Sequence, residues 1–300
     1  MIEKDFIKSS SDGLNIEVAY VIPEDGIKGI VQFSHGMAEH KERYFEFMKY
    51  LSSKGYVCII NDHRGHGNSI KNKEDLGYFY TENTNFIIDD LYDVTKYMKS
   101  KYPNIPIYLF GHSMGTLVAR GYIQKYDNEI EKVILCGPPT KNSFTSFAIL
   151  LAYIFKVIGN DKRPNKTLNN LTFKSYNKSY QLENEWLSKN LKNINIYNND
   201  ELCGFIFTTN GFINLYKLLK KAYNSNLYKV KNKKLEIFLI AGDKDPVIQS
   251  IEKFEQLEKF LNNIGYKDIK SKLYADLRHE ILNENECKQI YKDILEFIES

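Results

Sequence analysis

Three hundred residues, 43% hydrophobic and 26% charged, can bury a substantial core as one large α/β domain with an insertion or as two ordinary domains, and disorder is excluded as the default state. The formal charge of +3, from 41 basic and 38 acidic side chains, is far from the concentrated basic face of a nucleic-acid binder, so nucleic acid is not implied as a partner. The short basic run Lys231 to Lys234 reads as a solvated loop.

The first residues, Met1-Ile2-Glu3-Lys4-Asp5, carry charges where a secretory signal needs an uninterrupted apolar stretch. Four cysteines, Cys58, Cys136, Cys203 and Cys287, are widely separated and show no CxxC spacing. Reduced, mostly buried thiols in a cytoplasmic protein are the expectation. Short apolar runs over 18–22, 29–34, 56–61, 107–110 and 133–136 predict strands, several of them ending at Gly, Pro, Asn or Ser. Between them, 43–54 and 85–102 carry apolar residues at three- and four-residue spacing and predict helices; in the second, Ile87, Leu91, Val94 and Met98 share one face. This alternation predicts a mainly parallel sheet with helices on both faces.

From 141 to about 230 the alternation stops and the chain becomes rich in Asn, Lys, Tyr, Leu and Phe, as in an insertion. Its oily stretch, 147–158, is interrupted by Lys156 and is too short for a bilayer, which needs about 20 helical residues. Alternation resumes with a strand over 235–241, a helix over 248–261, a strand over 269–274 and a last helix over 286–298. The expected organisation is a core in two parts, 1–140 and 231–300, around an insertion at 141–230.

The strongest local signal is Gly111-His112-Ser113-Met114-Gly115, a GxSxG motif between a predicted strand and a helix-compatible run over 116–126. The glycines keep Cβ atoms out of a sharp strand-to-helix turn that leaves the serine exposed; the bland alternative makes Ser113 a helix N-cap. A serine hydroxyl needs a base, normally an imidazole held in the right tautomer by a carboxylate. In the fold that carries this strand-turn-helix motif the nucleophile precedes the acid along the chain and the acid precedes the histidine, and His279 is the one histidine after Ser113.

Two carboxylates, Asp243 and Asp245, follow the strand over 235–241. Asp245 is preferred because Pro246 stiffens the backbone behind it, while Asp243 suits a side-chain-to-backbone acceptor in the Gly-Asp turn. Gly36 permits a bend that turns the N–H of Met37 toward the serine, so Met37 and Met114 are the expected backbone donors of an oxyanion hole. Asp62, His63 and His66 do not match a familiar metal spacing; a buried bracing turn with Asp62 paired to Arg64 is expected, with no metal and no cofactor.

Four blocks of this sequence together resemble the monoacylglycerol lipase and lysophospholipase branch of the α/β-hydrolases, sometimes grouped with serine aminopeptidases. They are His35-Gly36-Met37-Ala38-Glu39-His40 with Arg43-Tyr44, Asp62 to Ser69, Gly111 to Gly115, and Gly242-Asp243-Lys244-Asp245 with Arg278-His279-Glu280. The resemblance implies an α/β-hydrolase fold, Asp245 as the acid, and a mostly helical cap at 141–230 whose oily helix faces lipid or packs the cap on the core. Thr116 stands where many relatives follow the motif with another glycine or a similarly small residue, and is small enough for the turn. The implied function is a serine carboxylesterase acting through an acyl-enzyme on a monoacylglycerol or lysophospholipid. Transient membrane-surface contact is compatible with such a substrate, and no protein partner is implied. A serine aminopeptidase or amidase with the same residues, and a non-catalytic protein binding an apolar ligand, are the rival expectations.

Overall fold

The computed structural model describes residues 1–159 and 161–300. In chain order β1 (Ile2–Lys8), β2 (Asn15–Val21) and β3 (Gly29–Ser34) are followed by α1 (Phe45–Ser52), β4 (Tyr56–Asn61), α2 (Asn85–Lys101), β5 (Ile107–His112), α3 (Met114–Tyr126) and β6 (Lys132–Cys136). Four helices then come in a row: α4 (Thr145–Val157), α5 (Lys166–Phe173), α6 (Leu191–Asn199) and α7 (Thr209–Ala222). The chain closes with β7 (Glu236–Gly242), α8 (Ile251–Ile264), β8 (Ile269–Tyr274) and α9 (Cys287–Glu299).

All eight strands form one sheet in the order β1-β2-β4-β3-β5-β6-β7-β8. β1 pairs antiparallel with β2, and β2 with β4; every later pairing is parallel. This is the α/β-hydrolase fold expected from the sequence. The largely apolar strands β3, β4 and β6 are buried along their whole length, as a parallel sheet covered on both faces requires. Period-two geometry divides each strand between two cores. Val133 and Leu135 of β6 pack with α2, α3 and α8, while Ile134 and Cys136 pack with α1 and α9. α9 meets the second core through Ile290, Ile294, Phe297 and Ile298, one face of a helix. Each such fully buried side chain contributes about 1.5–3 kcal/mol over an exposed one.

Arg120 of α3 fastens the four-helix segment to this frame. Its buried guanidinium donates to the carbonyl of Ala222, at the C-terminus of α7, at 2.7 Å and lies 4.1 Å from the ring of Tyr223. A cation at a helix C-terminus is favoured by the peptide dipoles there.

Three local differences from the sequence reading have physical causes. β1 was not expected as a strand, because Ile-Glu-Lys-Asp-Phe-Ile-Lys mixes charge into both faces; it forms an exposed edge held mainly by backbone pairing to β2. The helix expected over 43–54 begins instead with a 3-10 turn at Lys41–Tyr44. The helix expected from 248 starts at Ile251, since Gln249 has φ 62° and Ser250 caps the new helix by accepting from the N–H of Lys253. The Lys231 to Lys234 run is a largely exposed loop, and Cys58, Cys136 and Cys203 are buried free thiols, as expected.

Candidate active site

The carboxyl ends of the central strands converge on one cavity of about 510 Å³. Ser113 sits at the turn from β5 into α3 with φ 51° and ψ −119°, a conformation that costs an L-residue on the order of 1–3 kcal/mol. Packing imposes it. A Cβ on Gly115 would stand 1.9 Å from the carbonyl oxygen of Ser34, so α3 can approach β3 this closely only with glycine there. The N–H of Ser113 donates to the carbonyl of Cys136 at 2.9 Å, tying the turn to β6. The Ser113 hydroxyl makes no capping bond to α3, contrary to a purely structural N-cap role. Thr116 fits the turn, donating its hydroxyl to the Ser113 carbonyl at 2.7 Å.

His279 lies in the loop after β8 and lines the same cavity as Ser113. Its Nδ1 is 2.8 Å from Oδ2 of Asp245, and the other oxygen of Asp245 accepts the N–H of Val247 at 2.8 Å. An ionised carboxylate only accepts, so Nδ1 carries the hydrogen and Nε2 of a neutral ring is left with its lone pair. Asp243 is turned away: its Oδ1 accepts the N–H of Asp276 at 2.8 Å and braces the loop after β8.

Met37 and Met114 both line the cavity beside Ser113. The N–H of Met114, first in its helix, has no partner within α3. The loop of Met37 is held close to the serine: a Cβ on Gly36 would lie 3.2 Å from that of Ser113 and 2.5 Å from Oε1 of Glu39. The next carbonyl, Ala38, accepts from the N–H of Gly204 at 2.9 Å and from the hydroxyl of Tyr197 at 3.0 Å, so the segment between β6 and β7 clamps this loop from outside.

The expected pairing of Asp62 with Arg64 is corrected. Positive φ at Gly65 and Gly67 folds the turn so that Asp62 accepts the N–H of Asn68 at 3.0 Å and meets Nζ of Lys41 at 2.6 Å. Arg64 points the other way, into a two-point contact with Asp90 of α2 at 2.7 and 3.0 Å. His63 and His66 pack against His35 in a fully buried cluster, and burial lowers His66 to a pKa of about 3 and His35 to about 4. The bracing role expected of this turn therefore holds with different partners.

Among the described residues, His40, Asp200 and Cys203 are close enough together for a cation. They suit one poorly: Nε2 of His40 is already 2.9 Å from Asp200, and burial pushes the Cys203 thiol up, away from the thiolate a metal binds. The sequence reading gave no role to Glu39, His112 and Glu280, although all three stand inside the quoted motifs; they form the buried wall between Ser113, Met37 and His279.

A profile of the family described as "Serine aminopeptidase, S33" matches residues 25–286. The chain belongs to this family. The chain is 24% identical over 291 residues to the monoacylglycerol lipase of Mycolicibacterium smegmatis, covering 96% of this chain and 94% of that one. It is 28% identical over 196 residues to the monoglyceride lipase of Homo sapiens, covering 64% of this chain and 58% of that one. A crystal structure of a highly thermostable carboxyl esterase from Bacillus coagulans superposes with a TM-score of 0.91 at 24% identity, covering 99% and 98% of the two chains.

Proposed function

We propose that this S33 family member is a serine carboxylesterase that hydrolyses the acyl ester of a single-chain lipid, a monoacylglycerol or a lysophospholipid. Ser113 Oγ attacks the ester carbonyl while Nε2 of His279 takes its proton, and Asp245 holds the ring in the tautomer that makes this transfer productive. The N–H groups of Met37 and Met114 receive the oxyanion; a donor of this kind is worth about 3–4 kcal/mol in the transition state. His279 returns the proton to the departing alcohol and then activates water against the acyl-enzyme.

The observation that carries the substrate class is the cavity wall. Above Ser113 it is built from Leu117, Phe144, Phe147, Ala148, Leu151 and Leu168, a lining for an acyl chain. We read 141–230 as a cap over a core made of 1–140 and 231–300, with α4 as its roof. The names of the lipase relatives agree with this reading. An aminopeptidase would need carboxylates free to hold an amine. Of the acidic residues Glu183, Glu185, Asp200 and Glu201, Asp200 is bonded to His40 and Glu185 to backbone N–H groups of Gln181 and Leu182. Glu183 alone among them lines the cavity.

The outer face of α4 supports contact with a membrane surface. Val157 is 87% exposed, with Leu150 and Ile154 at half or more. Residues 141–180 hold seven Lys or Arg against the single acid Asp161, although the whole chain is only +3. An apolar ridge with a basic collar suits an anionic lipid surface. No described helix is long and apolar enough to cross a membrane. Free, mostly buried thiols fit a cytoplasmic location.

The test is fatty-acid release from monoacylglycerol and lysophosphatidylcholine, beside arylamine release from aminoacyl arylamides, for the chain and its Ser113→Ala variant. Ester cleavage lost in the variant supports the reading. Arylamide cleavage without ester cleavage overturns it in favour of a peptidase.

A further inference from the structure

His112, the residue before Ser113, has both ring nitrogens facing acceptors. Nδ1 is 3.2 Å from Oε1 of Glu39, and Nε2 is 3.3 Å from the carbonyl oxygen of His279. A backbone carbonyl cannot donate. Glu39 cannot either: Oε1 already accepts the N–H of Gly36 at 2.5 Å and the hydroxyl of Tyr44 at 2.8 Å, and Oε2 accepts Nε of Arg43 at 3.2 Å. A carboxyl receiving this many donors is ionised. Both nitrogens of His112 must then carry hydrogen, which makes the ring a cation. His35, equally buried, shows the contrast: its Nδ1 faces the carbonyl of Gly36, but its Nε2 accepts the N–H of His63, so it is neutral.

Charge balance gives the same answer independently. Arg43 also pairs with Glu280, which accepts Nδ2 of Asn193 at 2.6 Å. Glu39, Arg43, Glu280 and His112 have side chains no more than 6% exposed. With His112 neutral, this buried group would hold two carboxylates and one guanidinium, a net negative charge out of reach of water. With His112 charged it closes to zero, as buried charges require.

We propose that His112 is an imidazolium in the resting protein and a positioning residue for the reaction. Its pair with Glu39 locks the Gly36 loop, the Ser113 turn and the His279 loop to one another, and its charge keeps the neighbouring His279 ring from taking up a proton before substrate arrives. The contacts name three separate loops. Glu39 holds the N–H of Gly36, His112 adjoins Ser113, and the Nε2 hydrogen of His112 ends on the residue proposed as the base. The rings of His112 and His279 are 4.7 Å apart, so a second positive charge on His279 is opposed. The titratable groups facing His112 are Glu39, Tyr44, Glu280 and His279; on the far side of His279 stands Asp245. Burial pulls His112 toward neutrality, but the hydrogen bond and charge of Glu39 outweigh it and raise its pKa above the ordinary 6.5.

This inference rests on the reading of His279 as the base, and two measurements separate their failures. In the full chain with 15N-labelled histidine, the six side chains are assigned by replacing the five others one at a time. At pH 7 His112 is expected to show two protonated ring nitrogens, while His35 shows one. A bare ring nitrogen on His112 overturns the proposal, and this readout needs no turnover. In His112→Gln, kcat should fall with KM within about twofold, and the acid limb of the pH–rate profile should move up by roughly one unit, because the charge opposing His279 protonation is gone. Glu39→Gln should move the limb the same way. An acid limb that stays in place in both variants overturns the proposal. Full activity in Ser113→Ala would instead overturn the underlying mechanism and leave the protonation of His112 as observed.

Discussion

Nδ1 of His279 and Oδ2 of Asp245 lie 2.8 Å apart, on two loops 34 residues apart in the chain, with both side chains almost wholly buried. The neighbouring acid in sequence, Asp243, is bonded to the backbone of Asp276 instead. Asp245→Asn should keep the shape of the site while letting the amide donate to Nδ1, which places the hydrogen on the wrong nitrogen of His279. Ester hydrolysis should fall by about 10⁴ in kcat, the scale known for such a tautomer error. Asp243→Asn should lose no more than a few-fold. Steady-state kinetics on a soluble short-chain ester measures both, and the reverse ranking would exchange the two roles.

Gly115→Ala tests the steric origin of the turn at Ser113. The added methyl would meet the Ser34 carbonyl at 1.9 Å, which neither β3 nor α3 can relieve without moving. A loss of about 3 kcal/mol or more is expected, the upper range for overpacking. Urea unfolding of the purified variant reads the midpoint directly; an unchanged midpoint would mean the helix does not need this approach.

Arg64→Met should be among the most damaging single changes far from the cavity. It leaves Asp90 buried without its two-point partner, a loss of about 3–5 kcal/mol at neutral pH. Burial already raises the Asp90 pKa, with Arg64 opposing, and removing Arg64 raises it further. Above the ordinary carboxylate range the folded variant then holds a proton that the unfolded chain has released, so its stability falls as pH rises. Denaturation at pH 5 and pH 8 should show the gap to the parent protein narrower at pH 5.

Leu150→Asp/Val157→Asp places two charges on the outer ridge of α4, at side chains that do not line the cavity. Sedimentation with phosphatidylglycerol-containing vesicles should drop several-fold. Hydrolysis of vesicle-borne monoacylglycerol should drop with it, while a soluble short-chain ester is cleaved at the parent rate. Binding by the parent protein should weaken with added salt, as attraction to anionic headgroups does. Equal vesicle binding by parent and variant would refute the contact.

What could be read in the sequence follows from how local each constraint is. Gly111 and Gly115 are dictated by the turn they make, so Ser113 was legible within five residues. His279 was legible because no other histidine follows the serine. The partners of Asp62 and Arg64 were not, because Lys41 and Asp90 come from other elements and only the fold brings them in. β1 was missed for a related reason: its two faces are both wet, so no hydrophobic period marks it. The role inferred for His112 depends on Glu39, 73 residues away, and on a backbone carbonyl, which no side-chain pattern announces.

The helix α4 faces the cavity with Phe147, Ala148 and Leu151 and the outside with Leu150, Ile154 and Val157. Phe147 lines the cavity and is itself 64% exposed, so the apolar surface runs from interior to exterior along one side of the helix without a break. On the proposed reading, an acyl chain moving between bilayer and site travels along hydrocarbon for most of its path. The fatty acid produced can leave by the same route, which makes the lipid phase a sink for product as well as a source of substrate.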